Sequence, residues 1–152
     1  MEYLIRSIEE WDLPELVILC QKHAEYERAV YQSAGKEELL RIALFSAIPK
    51  LFALVVESNN KVVGYSTYTF DFSTWDAALF LHMDCLYLES EFRSTGIGAV
   101  LIERLTHVAV DKGCVNIQWQ TPIFNERAIK FYNRLEAIGK EKMRFSLELT
   151  QS

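Results

Sequence analysis

The chain has 152 residues, of which 50% are hydrophobic and 24% charged, with a formal net charge of −5. That length and mix suit a globular domain with a sizeable core and exclude a disordered chain. The acidic balance argues against non-specific nucleic-acid binding, which needs a basic surface, and is compatible with a cationic substrate. Cys20, Cys85 and Cys114 lie in apolar runs without metal-ligand spacing, so free buried thiols and no metal site are expected. Met1 leads straight into charged and polar residues, and no apolar run approaches the ~20 residues of a membrane span. A cytoplasmic protein without a leader or membrane anchor is expected.

Residues 3–7 read as a short strand. Asp12 and Pro14 signal a helix that runs to about Tyr26, with Leu16, Val17, Leu19 and Cys20 apolar. Ser33 and Gly35 precede a second helix over 36–45, and Pro49 ends that region. Strands over 51–57 and 61–72, joined by Asn59-Asn60, form the clearest hairpin in the sequence. Trp75-Asp76 breaks the pattern, and a strand follows over 79–88. Ile97, Val100, Leu101, Leu105 and Val108 then recur at helical spacing over 96–112, closed by Gly113. Residues 115–121 alternate, with Val115, Ile117 and Trp119 on one face, until Pro122. A short helix over 126–134 and a last alternating strand over 143–149 complete the chain. Without repeats, low-complexity stretches or linkers, one α+β domain over 1–152 is expected.

The segment Arg93-Ser94-Thr95-Gly96-Ile97-Gly98 joins a strand to a helix. Helix N-termini leave backbone N–H groups unpaired and carry partial positive charge, and glycines let an anion approach them closely. The dinucleotide and Walker patterns are both absent. An anion cradle is expected here, set against a plain strand–helix connection whose glycines serve only the turn.

With this turn in this setting, the sequence resembles the GNAT superfamily of N-acetyltransferases, whose signature [Arg/Gln]-x-x-Gly-x-[Gly/Ala] stands at the same junction. The resemblance covers nearly the whole chain. It implies a mixed, mostly antiparallel central sheet flanked by helices, and acetyl-CoA as acyl donor without a metal. It also implies that Arg93, Ser94, Gly96, Ile97 and Gly98 hold the pyrophosphate, and that the backbone of Leu86 and Leu88 pairs with the pantetheine arm. Many members have glycine where this chain has Ser94. A second pattern, Asn125, Ala128, Phe131 and Tyr132, is similar to the family's Asn-x-x-Ala-x-x-Phe-Tyr. It implies that Asn125 contacts the cofactor and that Tyr132 is the general acid for the departing thiolate, a task within reach of a phenol of pKa ~10. The family's glycine four residues after the tyrosine is Glu136 here, so the chain reversal is expected to differ or to shift toward Gly139.

Asp84 stands in an otherwise apolar strand, and a carboxylate there needs a partner or a purpose. An undistorted strand puts His82 on the same face. In the family a glutamate often occupies the position of Asp84 and assists amine deprotonation through water. An alkylammonium and a carboxylate differ by about six pKa units, roughly 8 kcal/mol, so Asp84 is a poor direct base. A water relay, a pKa raised by burial, simple holding of the ammonium, a structural Asp84–His82 pair, and His82 as the base all stay open. The chain resembles the polyamine-acetylating branch through Ala24, Tyr26 and Glu27, and through Tyr68, Phe70 and Trp75. That implies Glu27, His82 and Trp75 as substrate contacts, with Glu25 and Asp76 adding to an acidic mouth. His23 and His107 read as ordinary surface residues. Cys85 and Cys114 lack a nearby partner base, so direct attack by the amine is expected.

The expected activity is acetyl transfer to a small polyamine- or diamine-like amine. An aminoglycoside, a peptide or protein amine, and a non-catalytic acetyl-CoA-binding regulatory module are the alternatives. Relatives are commonly dimers, which leaves a homodimer open, although no interface signature stands in the sequence.

Overall fold

The computed structural model describes residues 1–150 and divides into two compact units, Met1–Gln120 and a second from Thr121 onward. The first unit holds β1 (Leu4–Ser7), α1 (Leu13–Tyr26), α2 (Lys36–Phe45), β2 (Phe52–Ser58), β3 (Lys61–Ser73), β4 (Ala78–Leu88), α3 (Ile97–Lys112) and β5 (Ile117–Gln118). The strands form one sheet in sequence order, antiparallel except for the parallel pair β4–β5. Asn59 and Asn60 take left-handed φ of 51° and 61°, the form a two-residue hairpin needs to match strand twist.

Each face of the sheet has its own core. Leu54, Val56, Met83 and Leu81 pack with Ile97, Leu101 and Leu105 of α3. Val55, Tyr65 and Tyr87 pack on the other face with Leu13, Leu16 and Leu19 of α1 and with Leu44 of α2. Burial on both faces explains the near-continuous apolar run in β2.

The start of α1 is tied to the sheet by charge. Arg6 in β1 grips Asp12 with both terminal nitrogens, at 2.7 and 2.9 Å, and reaches Glu57 of β2 at 3.0 Å. Asp12 also accepts the Glu9 N–H at 2.8 Å. Burial by itself pushes the Asp12 carboxyl up. The Arg6 hydrogen bonds, the Glu9 N–H and the Arg6 charge outweigh it and hold the group below its ordinary value.

Two expected strands change. The ladder of β5 covers only Ile117 and Gln118, because β4 and β5 pair at Leu81 and His82 and nowhere further along β4. Ile117 and Trp119 still pack toward α3, whereas Val115 is exposed. The expected strand over 143–149 is absent: those residues have no regular structure, and Met143, Phe145, Leu147 and Leu149 are all exposed. An alternating pattern makes a strand only when another strand supplies hydrogen-bond partners.

In the second unit, α4 (Glu126–Arg134) starts at Asn125, whose Oδ1 accepts the Ala128 N–H at 3.4 Å. The helix ends in a left-handed residue, and that residue is Glu136 itself, with φ 64°. Its N–H donates to Asn133 O at 3.0 Å and the Ala137 N–H donates to Tyr132 O at 3.2 Å, the double bond of a Schellman ending. The reversal therefore stays at Glu136 and does not shift toward Gly139.

Candidate active site

The centre of β4 is not a regular strand. Thr67 faces Cys85 and Tyr68 faces Met83, so Asp84 is an extra residue without a partner on β3, a β-bulge. A bulge frees backbone groups and re-aims side chains. The Cys85 carbonyl accepts the hydroxyl of the fully buried Ser66 at 2.8 Å.

The bulge reverses the side-chain alternation. Leu81 and Met83 point to the α3 core before it, and Leu86 and Leu88 do so after it. Cys85 and Tyr87 point to the α1 core. Asp84 itself is exposed, not buried. Its carboxylate accepts a long, 3.7 Å contact from the Cys85 thiol. Among the described residues no hydrogen bond or ion pair joins it to His82, so the structural pair weighed from the sequence does not form.

Polar groups converge on the α1 side of the bulge, and spacing alone did not foretell it. His23 is not an ordinary surface residue: its side chain is 12% exposed. One ring nitrogen lies 2.9 Å from Tyr65 OH and the other 2.7 Å from Glu27 Oε2. Glu27 is thus engaged by His23, one helical turn away. Burial pushes the Cys20 thiol up, and burial with the Asp84 charge pushes Cys85 up to about 12. Thiols held protonated at neutral pH make poor nucleophiles. Glu25 accepts from Gln21 at 3.3 Å, the Asp76 backbone N–H donates to Ser73 Oγ at 3.2 Å in the β3–β4 turn, and Trp75 beside it is 96% exposed.

Beyond Leu88, a 3-10 turn over Ser90–Phe92 leads into the stretch from Arg93 to Gly98. Ser94 and Gly96 both take left-handed φ, 60° and 91°. For a serine this backbone costs about 1–2 kcal/mol and persists only where its surroundings fix it. Ile97 anchors the turn from below, its side chain buried in the α3 core. No side chain caps the N-terminus of α3 and no acidic residue lies in its first turn. A Cβ placed on Gly96 would meet nothing within 4 Å. The first-turn amides and the open approach over Gly96 fit a diphosphate.

The Arg93 side chain turns back toward the sheet. Its Nε–H donates to Leu88 O at 2.8 Å, and its guanidinium carbon lies 4.5 Å from the Tyr26 ring centre and 5.3 Å from that of Tyr87. No strand pairs with the outer edge of β4 past His82 among the described residues, so the backbone around Leu86 has a strand neighbour, β3, on one side only. In the second unit, Asn125 is the N-cap of α4 and donates to Thr121 Oγ1 at 3.3 Å. Tyr132 is half-buried, its ring tilted 47° against Phe131 at 5.3 Å.

Residues 5–136 match the model of the acetyltransferase (GNAT) family. The chain belongs to that family. It is 33% identical to a thialysine N-epsilon-acetyltransferase of Bos taurus over 142 residues, covering 88% of this chain and 83% of the relative. A Sus scrofa protein of the same name is 31% identical, covering 95% and 93%. A crystal structure of a possible acetyltransferase from Clostridium difficile 630 shares the fold at a TM-score of 0.82 and 21% identity, covering 99% of this chain and all of that one. This GNAT protein is an acetyl-transferring enzyme, an N-acetyltransferase, and enzymes of the family take the acetyl group from acetyl-CoA. Among the described residues no helix is long and apolar enough to cross a membrane, and no cluster of three or more His, Cys, Asp or Glu is arranged to hold a metal ion.

Proposed function

We propose that this enzyme transfers the acetyl group of acetyl-CoA directly to the primary amine of a small, cationic molecule of the thialysine, lysine or diamine type. The similarity to thialysine N-epsilon-acetyltransferases along nearly the whole chain carries the substrate class. The outward-turned Asp84 supports it chemically. A solvated carboxylate attracts an ammonium and orders water beside it. Such water can relay the ammonium proton to bulk solvent, so that the carboxylate orients the amine and need not itself hold the proton. Tyr132 is assigned the general-acid role at the departing sulfur. The backbone amides from Ser94 to Gly98 are assigned to the pyrophosphate and the edge at Leu86 to the pantetheine arm, with Asn125 beside the cofactor. Leu88 is assigned to the same edge, although its carbonyl already accepts from Arg93. His82, Glu27 and Trp75 are assigned to the acceptor side, Glu27 acting together with His23. We further infer one catalytic domain over 1–152, a cytoplasmic location, a homodimer, and no role with nucleic acid, in keeping with the net charge of −5.

An acetylation assay over an amine panel tests this reading. Thialysine, lysine, spermidine and short diamines are expected to consume acetyl-CoA, with at least one of them far ahead of aminoglycosides and peptide amino termini. If the small amines are all inert while an aminoglycoside or a peptide reacts, the substrate assignment is wrong.

A further inference from the structure

Arg93 is the charged residue of the donor turn, yet its half-buried side chain turns back onto the protein. Its Nε–H donor goes to Leu88 O at 2.8 Å. The rings of Tyr26, in the last turn of α1, and of Tyr87, on β4, both lie within cation–π range of its guanidinium, at 4.5 and 5.3 Å. The arrangement is braced from behind. The His23 ring stacks on Tyr87 at 5.2 Å and 30°, and Lys22 pairs with Glu89 at 2.7 Å. The residue after Arg93 is Ser94, a non-glycine in left-handed backbone. Such a conformation needs fixed neighbours, and Arg93 is the neighbour that this arrangement fixes.

We propose that Tyr26 is a positioning residue for donor binding: with Tyr87 it clamps the Arg93 guanidinium, and the clamp holds the Arg93–Gly98 turn in the form that presents its amides to the acetyl-CoA phosphates. This inference rests on the donor role assigned to the turn above. It gives Tyr26, a residue of α1 well before the turn in sequence, a function in cofactor affinity rather than in amine recognition. A turn released from the clamp spends less time in the competent form, and apparent affinity falls by that fraction. Arginine suits this place because a planar guanidinium can lie on rings while its edge donates to a carbonyl.

The test measures acetyl-CoA Kd by calorimetry, and kcat at saturating acetyl-CoA with thialysine as the acceptor. Tyr26→Ala is expected to raise Kd by about 3–10-fold, the worth of one partly exposed cation–π contact, with kcat little changed. Tyr26→Phe keeps the ring and should bind like the wild type. Tyr26→Leu keeps apolar bulk without the ring face and should repeat the loss, which covers the case of an alanine variant that fails to fold. In an Arg93→Lys background, Tyr26→Ala should add less than about twofold, because coupled residues are not additive. An unchanged Kd in folded Tyr26→Ala and Tyr26→Leu, or a full extra loss in the Arg93→Lys background, overturns the clamp. Gly98→Asp separates the two levels of inference. Its carboxylate should abolish donor binding, and if it binds acetyl-CoA as tightly as the wild type, the turn's donor role fails and the clamp's purpose goes with it. If Gly98→Asp loses binding while the Tyr26 variants do not, only the clamp fails.

Discussion

Replacing Arg6 by methionine removes one guanidinium and keeps most of its apolar stem. Asp12 would then retain only the Glu9 N–H, in a site where its side chain is 3% exposed. Breaking a fully buried pair costs about 3–5 kcal/mol. Arg6 and Glu57 are 22% and 31% exposed, so solvent screens part of that, and about 2–3 kcal/mol is the expected loss. A chain of this length unfolds with an entropy of about 0.3 kcal/mol/K, so the melting temperature should fall by about 6–9 °C at pH 7. The deficit should also depend on pH. Asp12 is held below its ordinary value in the fold, so it contributes stability above the unfolded pKa of about 4, and that contribution is lost as pH falls through the folded value. Wild type and Arg6→Met should therefore converge between about pH 5 and pH 2. Thermal denaturation followed by circular dichroism across that range checks both points. A drop below 2 °C at pH 7, or a deficit that persists undiminished at the acid end, would refute the account of the network.

Two further outcomes follow from single residues. Tyr132→Phe should lower kcat by about 10²-fold or more while leaving acetyl-CoA affinity intact, since only the transferable proton is lost; unchanged turnover in a steady-state assay removes Tyr132 as the acid. Glu136→Gly should raise the melting temperature by about 2–4 °C, because glycine takes the left-handed ending of α4 without the Cβ clash that glutamate bears, a gain of about 1 kcal/mol. A fall in melting temperature would mean that the glutamate side chain contributes more than its backbone costs.

Elements whose cause is local were legible in the sequence. The Asn59-Asn60 hairpin is legible because asparagine tolerates left-handed backbone. Helix α3 follows from apolar spacing and the Gly113 end signal, α2 from the residues that flank it, and the turn before α3 is recognisable from its glycines between a strand and a helix. Features that depend on two segments meeting were not legible. A bulge is one residue too many on one strand relative to its partner, and nothing in 81–88 alone marks which residue is extra. The burial of His23 was missed for the same reason, since its partner Tyr65 comes from β3. The alternation over 143–149 was visible, but alternation is necessary for a strand and not sufficient. Arg93 shows the same limit: nothing beside it in the sequence foretells that its guanidinium lies against the rings of Tyr26 and Tyr87, which come from α1 and β4.

The bulge at Asp84 links both halves of the candidate site. In a regular strand Tyr87 would share a face with Leu81 and Met83, because side chains alternate with a period of two. It would then point at α3 and could meet neither His23 nor Arg93. One inserted residue flips every side chain that follows it. The same insertion that turns Asp84 outward to solvent carries Tyr87 to the α1 face, where it stacks on His23 and lies against Arg93. Removing the extra residue would thus restore a continuous ladder and move Tyr87 away from His23 and Arg93 at once. The outward turn of Asp84 and the packing of Tyr87 beside Arg93 thus both depend on one irregularity in β4.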